Sequence, residues 1–126
     1  MSEWKGDKIV LNRDLKNDLD PVEVDYPVMC HSFKDITNNM YELFLKKQAD
    51  YGPANIGMGN SSINTDKDVE KSMIGLIVRM NDKVQRLMNL ILDNKDPQNE
   101  SIEDTLIDIA NYAVMSQLVI NKEWGK

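Results

Sequence analysis

A polar stripe interrupts the last apolar segment of the chain. Asp104, Asp108 and Asn111 are spaced i, i+4 and i+7, so an α-helix would project all three from one side. Glu100 precedes the segment and leans over the same side. Two carboxylates four residues apart repel each other, and burying either one without a partner is costly. A cation must therefore face this stripe, and oxygen ligands of this kind are those that Mg²⁺ binds.

A row of charges on the preceding segment offers partners for the stripe. Arg79, Asp82, Lys83 and Arg86 fall within an arc of about 100° on a helix. The default interpretation of such a row is a solvated face with intrahelical pairs, for example Asp82 with Arg86. The acids of the neighbouring segment favour a second interpretation, in which the three cations point toward Asp108.

Two interpretations of the acids stay open. Asp108 lies a full turn inside its helix, where its carboxylate either forms a buried salt bridge to one of the three cations or binds a metal. Asp104 is either the acid of a helix cap or a second metal ligand. In the metal interpretation, Asp82, Asp104 and Asp108 are the catalytic residues because they hold a divalent cation, magnesium or manganese, with Glu100 as a further ligand. The cations would then hold phosphate oxygens.

Three capping boxes mark the helices that must position these charges. Each has an N-cap hydroxyl residue followed three positions later by an acid: "SFKD" from Ser32, "TDKD" from Thr65 and "SIED" from Ser101. They predict helices from Ser32 to the Gly-Pro pair near residue 52, from Thr65 to about residue 93, and over about residues 101–120. The Gly/Asn/Ser-rich residues 53–64 are predicted to form a loop.

The spacing of apolar residues predicts how the helices pack. On the long second helix one wide face is apolar and should face the core; its residues are Val69, Met73, Leu76, Ile77, Met80, Val84, Leu87, Met88 and Ile91. The last helix is apolar in almost every direction, which is typical of a helix at the centre of a bundle or an oligomer. One subunit has too few helices to surround it, so we expect a homo-oligomer.

These elements predict an all-α fold, a small bundle of three main helices that oligomerisation completes. Residues 1–31 form an N-terminal arm in this prediction, and residues 32–126 form the helical domain. The short apolar runs of the arm, "KIVL" at 8–11 and "VEV" at 22–24, indicate brief strands or segments that cross a partner subunit.

The composition excludes several classes of function. With 126 residues and a net charge of −6, the chain has the size of one domain and lacks the basic surface that general binding to duplex DNA or anionic membranes requires. Cys30 and His31 are the only residues of their types, which excludes an internal disulfide and a zinc site built from several such ligands. No apolar run approaches the roughly twenty residues that span a bilayer. We expect a cytoplasmic protein.

Three segments of the chain carry a family resemblance: "KKQADYG" (46–52), "GLIVRMNDKVQRLMNL" (75–90) and "ESIEDTLIDIANYAVM" (100–115). They resemble the nucleotide modification associated domain 1 family, which is common in phages and in phage-like bacterial regions. The resemblance implies similarity to the all-α nucleoside triphosphate pyrophosphohydrolases, the group of MazG and the dimeric dUTPases. Those enzymes are dimers or tetramers, and they hold magnesium with an E-x-x-E pair on one helix and E-x-x-D on the next. A phage protein of this kind would work in the host cytoplasm.

Carried over to this sequence, the resemblance places the acid pair of the last helix on Asp104 and Asp108. Asp82 stands where the enzymes have two glutamates, and Arg79 stands where the first of those acids is expected. A cation there removes charge that a metal needs and supplies charge that a phosphate favours. The family's "K-x-x-DYG" pattern adds three residues that would line the same cleft: Lys47, Asp50 and Tyr51.

Three hypotheses follow for the function. As an enzyme, the protein would split a nucleoside triphosphate between the α and β phosphates, with Mg²⁺ on its acids and with Arg79, Lys83 and Arg86 neutralising the pyrophosphate. As a binding protein, it would capture a nucleotide or a nucleotide-derived signal in DNA base modification or counter-defence, with Asn111 beside the ligand. As a structural subunit, it would use both stripes to bridge helices within an oligomer.

Overall fold

The computed structural model describes residues 19–56 and 63–126. Four α-helices and one short 3₁₀ turn follow one another along these residues: α1 (Pro21–Asp25), α2 (Pro27–Tyr51), the 3₁₀ turn Pro53–Asn55, α3 (Asp66–Leu92) and α4 (Ile102–Ile120). The described residues contain no strand, which confirms the predicted all-α class. Within the same residues, no helix is long and apolar enough to cross a membrane.

Local capping fixes the starts of α3 and α4, as predicted. The Thr65 hydroxyl accepts a hydrogen bond from the Asp68 amide at 3.1 Å, and the Asp68 carboxylate accepts one from the Thr65 amide. At the start of α4, the Ser101 hydroxyl accepts a hydrogen bond from the Asp104 amide at 3.0 Å. These bonds satisfy amides that lack a partner within the first turn of a helix.

The predicted start of the first long helix at Ser32 is wrong, because α2 already begins at Pro27. Proline suits the first position of a helix, since its fixed φ is helical and its missing N–H is not needed there. Ser32 therefore lies inside α2. The "VEV" run is also helical rather than a strand, because Asp20 caps α1 together with Glu23. The "KIVL" run lies outside the described residues.

The chain divides into two compact units, one ending at Thr37 and the other spanning Asn38–Lys126. The second unit contains a core in which α3 and α4 pack directly against each other. Six buried side chains form this core: Ile56, Ile63, Leu76, Met115, Val119 and Trp124. Two of them, Ile56 and Ile63, come from the described parts of the connection between α2 and α3, so these two positions contribute to the core as well.

The face of α3 that packs toward the core agrees only in part with the one that the apolar spacing predicted, since Val69, Met73 and Leu76 belong to both. The buried residues of α3 are Ser72, Leu76 and Leu90, and the row Arg79, Lys83, Arg86 continues their spacing of three and four. Of the nine residues of the predicted core face, only Leu76 is buried, whereas four are exposed: Ile77, Val84, Met88 and Ile91. The charged row faces α4 because acids of α4 and of the segment before it compensate its charge, as the contacts below show.

The last helix is only partly enclosed by the other described residues. Thr105, Asp108, Met115, Ser116 and Val119 are its buried residues. On its other side, about half of the side-chain surface stays exposed at Leu106 (52%), Val114 (51%) and Ile120 (57%).

Candidate functional site

A cavity of about 400 Å³ lies in the second unit, beside the C-terminal half of α2. Side chains connect α2 to α4 and to the chain beyond it. Asn111 donates a hydrogen bond to the Met40 carbonyl oxygen at 3.1 Å, and the edge of Phe44 meets the ring of Trp124 at a centroid distance of 6.1 Å. Side chains, rather than close backbone packing, thus join α2 to α4. The volume is within the range of small-molecule sites.

Asp108 pairs with two of the basic side chains that line this cavity. Its side chain is 5% exposed, and each of its oxygens binds a lysine: Lys47 Nζ lies 2.8 Å from Oδ1 and Lys83 Nζ lies 2.8 Å from Oδ2. Burial would raise the pKa of the Asp108 carboxyl, but the hydrogen bonds from the two lysines outweigh it and hold the pKa below its ordinary value. Asp108 is therefore ionised and neutralised from two different helices.

Lys83 joins Asp108 to Glu100. Its ammonium lies 3.0 Å from Oε1 and 3.1 Å from Oε2 of Glu100, in addition to its bond with Asp108. Burial would lower the pKa of Lys83, but the hydrogen bonds to Asp108 and Glu100 raise it above its ordinary value. An ammonium has three N–H donors, so the two carboxylates occupy the donor capacity of Lys83.

Arg86 links α3 to the first turn of α4 and to Glu100, which precedes that helix. It donates hydrogen bonds to the hydroxyl of Thr105 and to the backbone carbonyl of Glu100. The fully buried Thr105 donates in turn to the Glu100 carboxylate. Arg86 thus holds the start of α4 against α3, and it does not line the cavity.

The structure brings some of the predicted site residues together and leaves others apart. Five of the predicted substrate-binding residues line the cavity: Lys47, Tyr51, Arg79, Lys83 and Asn111. Glu100 and Asp108 of the predicted metal set line it too. Three predicted acids are exposed and do not belong to the cavity wall: Asp50, Asp82 and Asp104.

The carboxylates that line the cavity pair with lysines and are not grouped around a position for a metal ion. Across the described residues, no three His, Cys, Asp or Glu side chains form a group that could hold a metal. The two acids of the cavity, Asp108 and Glu100, each direct both oxygens at a lysine or a neighbouring donor. As they stand, these side chains do not fit the predicted magnesium site of three carboxylates, and magnesium binding stays a prediction.

Basic side chains outnumber acids in the cavity wall. Lys47, Arg79 and Lys83 stand against Glu100 and Asp108, although the chain as a whole has a net charge of −6. Lys47 is 42% exposed and uses one of its three donors for Asp108. Arg79 makes a long contact of 3.5 Å from Nη2 to the Asn55 carbonyl oxygen. Donors of both side chains can therefore bind an anion.

Six wall positions were missed by reasoning from the sequence: Phe44, Gln48, Asn55, Ile56, Tyr112 and Met115. Gln48 and Ile56 show why. Gln48 lies beside Lys47 on α2, and its Oε1 is buried without a hydrogen-bond partner among the described residues. Ile56 follows the 3₁₀ turn and is 3% exposed. A single amide on a helix, or one apolar residue in a loop, has no partner at a fixed spacing, so no sequence pattern identifies either.

Comparison with known proteins identifies a family. The family model of nucleotide modification associated domain 1 matches residues 47–120. This range begins at the cavity lysine Lys47 and includes α3 and α4. No curated protein and no solved structure matches significantly.

Proposed function

The chain belongs to the nucleotide modification associated domain 1 family, and on this premise we propose that its cavity binds a nucleotide or a nucleotide-derived small molecule. One observation carries the proposal: a cavity of about 400 Å³ has three cations in its wall against two acids. A cationic cavity of this size in an acidic chain suits a small anion better than a large polyanion such as duplex DNA.

Lys47 and Arg79 are the residues proposed to hold the phosphate. Lys47 retains donors beyond its bond to Asp108, and Arg79 Nη2 makes only a long contact of 3.5 Å with the Asn55 carbonyl oxygen among the described residues. Ammonium and guanidinium groups form strong, charge-assisted hydrogen bonds to phosphate oxygens. Lys83 would stay paired with Asp108 and Glu100 and hold these two carboxylates in position.

Aromatic and amide side chains of the wall suit the rest of a nucleotide. Phe44, Tyr51 and Tyr112 line the same cavity, and a base can stack on such rings. Asn111 uses its amide nitrogen for the Met40 carbonyl, which leaves its amide oxygen as an acceptor. Tyr51 is 66% exposed and would lie at the mouth.

We propose capture of the nucleotide rather than its hydrolysis. Lysines hold both cavity carboxylates, and the exposed Asp82 and Asp104 lie outside the cavity wall. A protein that captures a nucleotide in this way could supply or withhold it in DNA base modification or counter-defence.

Lys47→Met should weaken nucleotide binding by about 10- to 100-fold, because it removes a charged hydrogen bond to the phosphate. The matched control is Lys46→Met, which removes the preceding, exposed lysine and should leave the affinity within about twofold. Isothermal titration of both variants and the parent chain with nucleoside mono-, di- and triphosphates measures the effect.

The same titrations decide between the functions. They are run with and without Mg²⁺, and each mixture is assayed for pyrophosphate. Binding without pyrophosphate release supports capture. Release that requires Mg²⁺ would overturn capture in favour of hydrolysis, and a parent chain that binds no nucleotide would overturn the proposed function itself.

The chain is also proposed to form a homodimer or homotetramer. The outward face of α3 exposes a series of large apolar residues, among them Ile74 (58%), Ile77 (53%) and Ile91 (62%). Exposed apolar patches of this kind usually mark interfaces. Ile77→Glu should therefore lower the mass in solution toward that of the monomer, as measured by light scattering after size exclusion. Gln98→Glu adds the same side chain at an exposed position outside α3 and should leave the mass unchanged; a monomeric parent chain would refute oligomerisation.

A further inference from the structure

Two buried side-chain atoms have no hydrogen-bond partner among the residues that the structure describes. They are Oε1 of Gln48 and Nη1 of Arg79. Both residues line the same cavity. Buried polar groups in native proteins are normally paired, so an unpaired one needs an explanation. The two residues share the wall of one cavity, so a molecule that occupies this cavity is a candidate partner for both atoms.

The two atoms are of opposite kinds and come from different helices. Gln48 belongs to α2 and presents an acceptor, whereas Arg79 belongs to α3 and presents a donor. The 3.5 Å contact of Arg79 Nη2 with the Asn55 carbonyl helps to orient the guanidinium. A molecule that pairs with both atoms must present an acceptor to α3 and a donor to α2. Because neither atom has accessible surface in the free protein, the ends of both side chains turn toward the cavity when this molecule binds.

We propose that Gln48 and Arg79 form a specificity pair that selects nucleotides by a hydrogen-bond donor. This inference rests on the proposed function. Arg79 binds the anionic phosphate, and Gln48 accepts a hydrogen bond from an N–H of the base or an O–H of the sugar. A site built to accept such a bond rejects an analogue without the donor, because its buried acceptor then stays unpaired.

The free protein provides an independent sign of this role. Without a ligand, the side-chain oxygen of Gln48 is a buried acceptor that lacks a hydrogen bond from the described residues. Removing this oxygen should therefore not lower the stability of the protein. We expect Gln48→Leu to leave the midpoint of thermal unfolding unchanged or to raise it. A fall in the midpoint would mean that Gln48 has a structural partner.

The experiment is an isothermal titration of the full chain with three ligands. They are a ribonucleoside monophosphate, its 2′-deoxy counterpart and an analogue whose base N–H is methylated. The parent chain should bind one of the two altered ligands about tenfold more weakly than the ribonucleotide, and Gln48→Leu should abolish that difference. Loss with the 2′-deoxy ligand identifies the sugar hydroxyl as the donor, and loss with the methylated ligand identifies the base. Gln98→Leu, at an exposed position away from this cavity, should behave as the parent does.

Titration with inorganic phosphate distinguishes the role of Arg79 from that of Gln48. Arg79→Met should weaken binding of phosphate alone, whereas Gln48→Leu should not. If the parent binds nucleotides but Gln48→Leu keeps their order of affinity, a bound water satisfies Gln48, and this inference fails while the proposed function stands. If the parent binds none of the nucleotides, both fail.

Discussion

Asp108→Asn should lower the free energy of unfolding by about 3 kcal/mol. The substitution keeps the size of the side chain but leaves two ammonium groups without the carboxylate that neutralises them. The expected loss is at the low end of the range for a broken buried ion pair, because Lys83 still pairs with Glu100 and the half-exposed Lys47 can turn to solvent. Chemical denaturation at neutral pH measures the effect.

Asp104→Asn is the matched control on the same helix. Asp104 is exposed, so its carboxylate contributes only a favourable interaction with the start of α4, and its loss should lower the free energy of unfolding by less than about 0.5 kcal/mol. Equal losses in the two variants would show that the lysines do not depend on Asp108.

The pH dependence of stability should differ between the parent and Asp108→Asn. The pKa of Asp108 is lowered in the folded chain, so its contribution is fully present above the ordinary carboxyl pKa of about 3.9 and is lost as the pH falls through the folded value. The pKa of Lys83 is raised, so its contribution is present below the ordinary pKa of about 10.4 and is lost as the pH rises through the folded value. The stability difference should therefore be constant near neutrality and shrink in acid.

Trp124→Ala should lower the free energy of unfolding by about 4 kcal/mol, because it empties a large site in a packed core. The side chain is 3% exposed, and its Nε1 donates to the Pro53 carbonyl at 2.9 Å. Its backbone oxygen also accepts a hydrogen bond from the Ile63 amide at 3.4 Å. Since the 3₁₀ turn that begins at Pro53 leads into the cavity wall, the same substitution should also weaken nucleotide binding.

Trp124→Phe separates packing from the hydrogen bond. Phenylalanine keeps an aromatic ring against Phe44 but cannot donate to Pro53, so we expect a loss of about 1–2 kcal/mol. Chemical denaturation compares both variants with the parent. A loss below about 1 kcal/mol for Trp124→Ala would contradict the role of the tryptophan in the core.

The sequence alone was sufficient for the features that local chemistry decides. The starts of α3 and α4 were predictable because Thr65 and Ser101 make their capping bonds within three residues. The resemblance of the quoted motifs to the family is confirmed by the match over residues 47–120. Asp108 was identifiable as an unusual charge in an apolar helix, and the sequence also predicted that basic side chains would face it.

Local sequence signals can compete, and spacing alone does not show which of them decides the structure. Ser32 has a capping pattern, but Pro27 begins the same helix five residues earlier, and a helix that has begun continues through a serine. Part of the face of α3 was misjudged for a related reason. Apolar spacing assigns the core to the most hydrophobic stripe, whereas Lys83 and Arg86 face α4 because Asp108, Glu100 and Thr105 meet them there.

Only the tertiary structure decided which partners Asp108 has and what surrounds them. Lys47 is 61 positions away in sequence, and no periodicity relates residues on different helices. Two further properties depend on packing: the exposure of Asp82 and Asp104, and the burial of Gln48 Oε1 without a hydrogen-bond partner among the described residues. Whether a charge is exposed, paired or left for a ligand depends on what the other helices bring to it, and that is set by the fold rather than by spacing along one helix.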